Sequence, residues 1–309
     1  MTSFDVGTAV RNAWKAGLVV PSFNVPYLPM VEPVIRAAVD EDAFALVATA
    51  RLEWYKFAAK GPEYVAEAYF QHENPAHVRL HLDHVPVIDE DDLRVDYLPV
   101  IARAIELGYH SVMVDGSRLP LEANIAATRE VAELAHQSNI PCEAELGAVL
   151  GHEAGPLPPY EELFASGKGF TDVEQARRFV SESGCDWLSV AAGNIHGAIS
   201  GAKKDQAKVE ARLDLAHLSK LNEAANVPLV LHGGSGIQRY YVRESFLRGI
   251  AKMNIGTDIR QTYERALSET RSTPAAQDAV YERTRYLLRE ELGLSATCAR
   301  VTGQGQEEG

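Results

Sequence analysis

Cysteine is scarce in this chain. Cys142, Cys185 and Cys298 are its three, widely separated and with no C-x-x-C spacing, which excludes a disulfide framework and a cysteine-built zinc site. Free thiols are expected. Long apolar runs are missing too: nothing approaches the roughly 18 residues of a membrane span. The opening MTSFDVGTAVRNAWKAG has no basic segment leading into an apolar one. The expected location is therefore cytoplasmic, with no membrane partner. Positive charge is in deficit, 30 Lys+Arg against 43 Asp+Glu, for a formal net charge of −13. Such a field repels phosphate backbones and anionic lipid alike, so nucleic acid is not an expected partner. An anionic substrate would need a metal, backbone N–H groups or a few local cations to overcome it. A G-x-G-x-x-G after the first strand is also absent, which lowers the case for a dinucleotide-binding doubly wound sheet.

What is present is an ordinary enzyme-like composition over 309 residues, 46% hydrophobic and 24% charged. Short β-branched apolar runs recur at 19–23, 44–49, 78–83, 111–115, 141–146, 187–191, 227–231 and 251–255. Helical periodicity follows them at 30–40, 97–107, 121–137, 173–183, 213–224 and 241–247. Eight such units predict an α/β fold, a (β/α)8 TIM barrel forming a single domain over about 18–257. A C-terminal helical appendage is expected over 258–295, its helices at 258–270 and 277–292 separated by the breaker Ser272-Thr273-Pro274. The tail 302–309, rich in Gly, Gln and Glu, is expected to be disordered. The long connection 147–169, with Gly155-Pro156-Leu157-Pro158-Pro159, is of a length usually found in lids or disordered segments.

In such a barrel the chemistry lies where strands end, and polar residues concentrate there. Strand three ends His81-Leu82-Asp83-His84, strand four Asp115-Gly116-Ser117, and strand five carries Glu143-Ala144-Glu145. Beyond the last three strands come Asn194-Ile195-His196-Gly197, His232-Gly233-Gly234-Ser235-Gly236 and Asn254-Ile255-Gly256-Thr257-Asp258. His84, His196 and His232 thus follow three different strands; three neutral imidazoles with one open position suit a catalytic zinc ion. Each alone reads as an ordinary loop histidine; the trio with Asp83 reads as a site. Strand alternation puts His81 and Asp83 on one side and His84 on the other, so His84 reaches the mouth only if the strand breaks there. The Gly233 to Gly236 stretch, between a strand and a helix, is a phosphate-nest candidate that Asn254 to Thr257 could complete. Glu143 and Glu145 could both face the barrel interior, where each needs a cation or a hydrogen-bond network.

At these residues the sequence resembles the class II, metal-dependent ketose-bisphosphate aldolases, the fructose- and tagatose-bisphosphate aldolase type. The likeness spans about 18–267 and rests on several ordered motifs. They are Ser22-Phe23-Asn24-Val25, HLDH at His81 to His84, GYHSVMVDGS at Gly108 to Ser117, EAELG at Glu143 to Gly147, His196-Gly197, LHGGSGI at Leu231 to Ile237 and KMNIGTD at Lys252 to Asp258. The resemblance implies zinc on His84, His196 and His232, with Glu145 and Asp115 as an alternative metal position, and a monovalent cation near the phosphate. It implies Asp83 as acid/base and Glu153, on the lid, in proton exchange at the enediolate carbon. Asn24, Gly197, Gly233, Gly234, Ser235 and the stretch Asn254, Ile255, Gly256, Thr257 would bind the ketone half and its phosphate. The reaction implied is reversible retro-aldol cleavage of a ketose 1,6-bisphosphate or ketose 1-phosphate to dihydroxyacetone phosphate and an aldehyde. A homo-oligomer, dimer or tetramer, is expected by the same likeness.

Departures from the family pattern cluster on the aldehyde side. In place of a Q-x-S-x-G segment after strand two stands Ala48-Thr49-Ala50-Arg51-Leu52-Glu53-Trp54. Val85 replaces the usual Gly after HLDH, and the connection 86–98 is long and acidic. Ala154 stands where the lid usually has a second acidic residue. The expectation is an aldehyde product other than glyceraldehyde 3-phosphate, with Arg51 as a candidate anion contact. Two alternatives stay open on sequence: a non-catalytic sugar-phosphate-binding protein on the same scaffold, and a metal-dependent barrel hydrolase.

Overall fold

In the computed structural model, which describes residues 4–147, 160–194, 211–234 and 236–304, eight parallel strands pair in sequence order and close into one barrel. They are β1 (Val20–Asn24), β2 (Ala45–Ala50), β3 (Val78–Pro86), β4 (Ser111–Asp115), β5 (Cys142–Leu146), β6 (Trp187–Val190), β7 (Leu229–Leu231) and β8 (Ile250–Ile255). All coincide with apolar runs of the sequence, because a strand covered on both faces reads as a continuous hydrophobic segment. β3 runs three residues beyond its expected end at 83, past the chemistry-bearing His81 to His84.

The helices expected around the barrel are present as α2 (Val31–Asp40), α5 (Tyr97–Glu106), α6 (Leu121–Gln137), α8 (Val173–Ser183), α9 (Leu215–Ala225) and α10 (Arg239–Phe246). Four helices before the C-terminal region were not anticipated. α1 (Val6–Ala16) is capped by Asp5, whose side chain accepts from the Thr8 N–H at 2.7 Å, and is ended by Gly17 at φ +62°. α3 (Arg51–Lys56) and α4 (Pro62–His72) both lie between β2 and β3, and α7 (Tyr160–Ser166) occupies part of the long connection after β5.

The C-terminal helical appendage expected after the barrel is present. α11 (Thr257–Thr270) and α12 (Thr273–Tyr286) break at the Ser272-Thr273-Pro274 signal, but α12 begins at once. Ser272 caps the Ala275 N–H, and Pro274 sits in the first turn where its missing N–H costs nothing. α12 continues as a π-helical turn over Leu287–Leu292. Arg283 grips Asp258 with two bonds of 2.6 and 2.7 Å, and Arg285 reaches Glu41 at 2.7 Å. A last helix, α13 (Cys298–Thr302), follows. Disorder was expected from residue 302, yet Thr302 is buried and its hydroxyl donates to the Cys298 carbonyl, so the ordered chain extends past it. Cys298 and Val301 pack with Val6, Ala9, Val10 and Ala13 of α1 against Phe44, Leu46, Trp187, Val230 and Ala251. These last lie at strand starts, so α1 and α13 together plug the end of the barrel opposite the candidate site.

Candidate active site

β3 delivers three polar side chains to the barrel interior by breaking its own alternation. His81 and Asp83 face inward by the period of two. Against β4 the register runs Leu82 to Val112, then Val85 to Val114, so Asp83 and His84 together oppose Met113. This is a β-bulge, and His84 takes it up with φ +26°. The break that the sequence required for His84 to reach the mouth is therefore present.

Around the bulge three strands converge. The His84 Nε2 lies 2.6 Å from the His232 Nδ1, and the His84 Nδ1 is 3.2 Å from the Asp115 Oδ2. The Glu145 Oε2 stands 3.9 Å from the His84 Nδ1 and 3.5 Å from the His232 Nδ1. Asp83, His84 and His232 each offer a ligand atom within 4.8 Å of the others, as do His84, Asp115 and Glu145. Two side-chain amides clamp Asp83: Asn24 of β1 donates to its Oδ2 and Asn254 of β8 to its Oδ1, both at 2.8 Å.

Beneath this layer lies a buried charge network. Lys252 of β8, with no exposed side-chain surface, reaches the Glu143 Oε2 at 2.8 Å and donates to the Asn254 Oδ1 at 2.6 Å. The other Glu143 oxygen is 2.9 Å from the His232 Nε2. That carboxylate makes Nε2 the protonated nitrogen and leaves Nδ1 turned toward His84. His81 bonds Ser111 at 2.8 Å through Nδ1, while its Nε2 sits 3.7 Å from Asp83 and 3.6 Å from Glu143.

The electrostatics follow from this geometry. Burial opposes charge on His84, but Asp83, the hydrogen bond that His84 donates to Asp115, and Glu145 outweigh it and push the imidazole up to about 10. Burial likewise works against ionised Asp83, yet His84, His81, Lys252 and His232 hold it well below the ordinary carboxylate range. Glu143 is brought to about 2 by Lys252 and then His232, against its burial. Glu145 goes the other way, to about 8, through burial and the neighbouring Asp115. His232 is lowered by burial and by His84.

The residues fit a divalent cation. Two ring nitrogens 2.6 Å apart cannot both present lone pairs across that gap, so a proton or an ion belongs there. The surrounding carboxylates make it a point where positive charge is stabilised, and the imidazole and carboxylate donors suit zinc.

Most of the expected site residues lie within the described chain. Asn24, Asp83, His84, Asp115, Glu145, His232 and Asn254 form one cluster at the C-terminal mouth of the barrel. Gly233, at φ +66°, and Gly234 follow β7. Ile255 ends β8, and Gly256 and Thr257 open α11, whose first N–H groups lack partners within the helix. Arg51 opens α3, its Nη1 3.4 Å from the Asp89 Oδ2. Glu153, His196, Gly197 and Ser235 lie outside the described residues. Two contributors went unrecognised in the sequence. Lys252 stands two residues before Asn254 and so shares its inward face, a signal that strand period alone supplies. Glu53 of α3 accepts the Ala50 N–H at 2.9 Å and interacts with the Asn24 side chain; no motif marks it.

The chain is similar in sequence and fold to known proteins. The sequence profile of the family described as "Fructose-bisphosphate aldolase class-II" matches residues 5–304. A 6-phospho-5-dehydro-2-deoxy-D-gluconate aldolase of Halalkalibacterium halodurans is 33% identical over 256 residues, covering 82% of this chain and 80% of that one. Among solved structures, the YdjI aldolase of Escherichia coli superposes with a TM-score of 0.76 at 26% identity, covering 96% and 99% of the two chains. The fructose-bisphosphate aldolase of Campylobacter jejuni, at 16% identity and a TM-score of 0.71 over 94% and 95%, shares the fold. With the family profile matched across nearly its whole length and a relative 33% identical over 82% of it, this chain belongs to the class II fructose-bisphosphate aldolase family and is an aldolase, a carbon–carbon lyase.

Proposed function

We propose that this enzyme catalyses the reversible, zinc-dependent retro-aldol cleavage of a ketose phosphorylated on its ketone half, giving dihydroxyacetone phosphate and an aldehyde that carries no phosphate. The observation that carries the reaction is the clamped Asp83 beside the His84–His232 pair. Bound at His84, His196 and His232, zinc would supply Lewis-acid stabilisation of the negative charge that develops as the carbon–carbon bond breaks.

The protein's own groups do the rest. Asp83 is ionised throughout the working range and held by two amides, so it accepts the proton of the C4 hydroxyl as C3 and C4 part. Glu143 fixes the tautomer of His232, and Lys252 keeps Glu143 charged. The N–H groups at Gly233, Gly234, Ser235 and the start of α11 bind the phosphate, with Gly197, and Glu153 exchanges the proton at the enediolate carbon.

Two observations support an aldehyde half without phosphate. Arg51, the cation of the first turn after β2, is paired with Asp89, and both side chains are largely buried. The name of the Halalkalibacterium relative's substrate describes one phosphate, next to the ketone, and a carboxylate at the far end. An Arg51–Asp89 pair can contact a hydroxyl or a carboxylate but gives a phosphate dianion little net attraction.

The test is release of dihydroxyacetone phosphate by zinc-loaded protein from ketose 1-phosphates and from fructose and tagatose 1,6-bisphosphates, with and without chelator. Chelator-sensitive cleavage of the 1-phosphates is expected; a preference for a bisphosphate would overturn the aldehyde assignment, and silence on the whole panel the reaction itself. Asp83→Ala should keep bound metal and lose cleavage about 100-fold or more. His232→Ala should lose both.

A further inference from the structure

The segment after β2 is where this chain departs most from its family, and the structure gives that departure a shape. Ala50, the last residue of β2, lies beside Asp83 in the β2–β3 register. α3 starts on the next residue, so its first turn forms the wall next to Asp83. Glu53 is in that turn, and its side chain folds back on the Ala50 N–H at 2.9 Å instead of extending into solvent. Asn24 then lies between two carboxyl groups: its amide donates to Asp83 at 2.8 Å, and its side chain also interacts with Glu53.

A substrate with its reacting hydroxyl on Asp83 and its phosphate at the β7 and β8 loops has those sides filled. Among the described residues, what remains for the aldehyde half is the α3 wall, whose polar groups include Glu53 and the Arg51–Asp89 pair. We propose that Glu53 is the specificity-determining residue for the aldehyde half, hydrogen-bonding a hydroxyl beyond the reacting carbon and disfavouring a phosphate in that place. Three features support it. The Ala50 N–H fixes the carboxyl through Oε2 without exhausting its two oxygens. Burial, with Asp83 adding to it, pushes Glu53 up to about 8, so near neutral pH it can give as well as accept a hydrogen bond. A carboxyl in that place is unsuited to a dianion, whereas a site built to bond a hydroxyl discriminates strongly against its absence.

The inference rests on the aldol reaction proposed above, and the experiment separates the two. In the synthetic direction, zinc-loaded enzyme and dihydroxyacetone phosphate are offered glyceraldehyde, propanal, which lacks the hydroxyls, and glyceraldehyde 3-phosphate. Wild type is expected to prefer glyceraldehyde to both others in kcat/KM. Glu53→Ala should reduce the glyceraldehyde-to-propanal ratio about 10- to 100-fold, and Glu53→Gln should restore most of it. A purely structural role would lower all three acceptors together and leave the ratio unchanged. An unchanged ratio in an active Glu53→Ala enzyme overturns the assignment of Glu53 alone. If Glu53→Ala is inactive, Glu53→Asp, which draws the carboxyl back from the substrate, should lower the glyceraldehyde-to-propanal ratio, and an active Glu53→Asp enzyme with the wild-type ratio overturns the assignment. Condensation of no aldehyde by wild type overturns the reaction itself, and this inference with it.

Discussion

A lysine with no exposure is tolerable only through its partners, and Lys252 shows how strictly the site is built. Its ammonium meets Glu143 and Asn254, Glu143 meets His232, and Asn254 meets Asp83, so one buried charge orients both His232 and Asp83. Lys252→Met should destabilise the fold by about 3–5 kcal/mol, because it leaves the Glu143 carboxylate buried and unpaired. Adding Glu143→Gln should recover much of that loss, while zinc affinity falls about 10- to 100-fold as His232 loses its orienting carboxylate. Denaturant titration of the single and double variants, with metal titration alongside, checks both expectations. The sequence made His84 and His232 legible as members of the cluster because each stands at a strand end. It left Lys252 and Glu53 unread because their roles depend on which residues of other strands they meet.

At the scale of elements, the decisive feature is the bulge in β3. His84 adopts a positive φ that a β-carbon resists. His84→Gly should therefore fold about 1 kcal/mol more stably than His84→Ala, although both lose the imidazole and the metal. Equal stabilities would show that the bulge carries no strain.

The connection into β4 makes a different, pH-dependent expectation. His110 accepts the Leu80 N–H at 3.1 Å through its Nδ1, and burial together with Arg79 lowers it from 6.5 to about 4. The unfolded chain thus takes up this proton first, so the contribution is nil above pH 6.5 and becomes a growing cost as pH falls toward 4. The total is about 3 kcal/mol at most. Between pH 4.5 and 6.5, above the range where ordinary carboxylates protonate, His110→Asn should flatten the decline in unfolding free energy. A slope unchanged by that substitution would remove His110 as its source.

For the whole molecule, the described residues at the mouth of the barrel and in the layer beneath it gather Asp83, Asp115, Glu143 and Glu145 against Lys252 and the histidines. A divalent ion that binds the folded state alone should raise its stability by about 4 kcal/mol at a thousandfold excess over Kd. Chelation should then lower the Tm by several degrees without abolishing the fold, since the apolar core and the α1–α13 plug do not depend on the ion. Unfolding on chelation would show that the metal is structural as well.

The sequence by itself determined the barrel, its eight strands and the family, because buried parallel strands are apolar along their length and the motifs stand at their ends in order. Tertiary structure decided what pairing across strands decides. It placed His84 beside Asp83 through a register shift with β4 that no local pattern encodes. It carried α13 back to α1 to close the far end, and turned Glu53 and Arg51 toward Asn24 and Asp89, contacts between residues far apart along the chain and therefore invisible to periodicity.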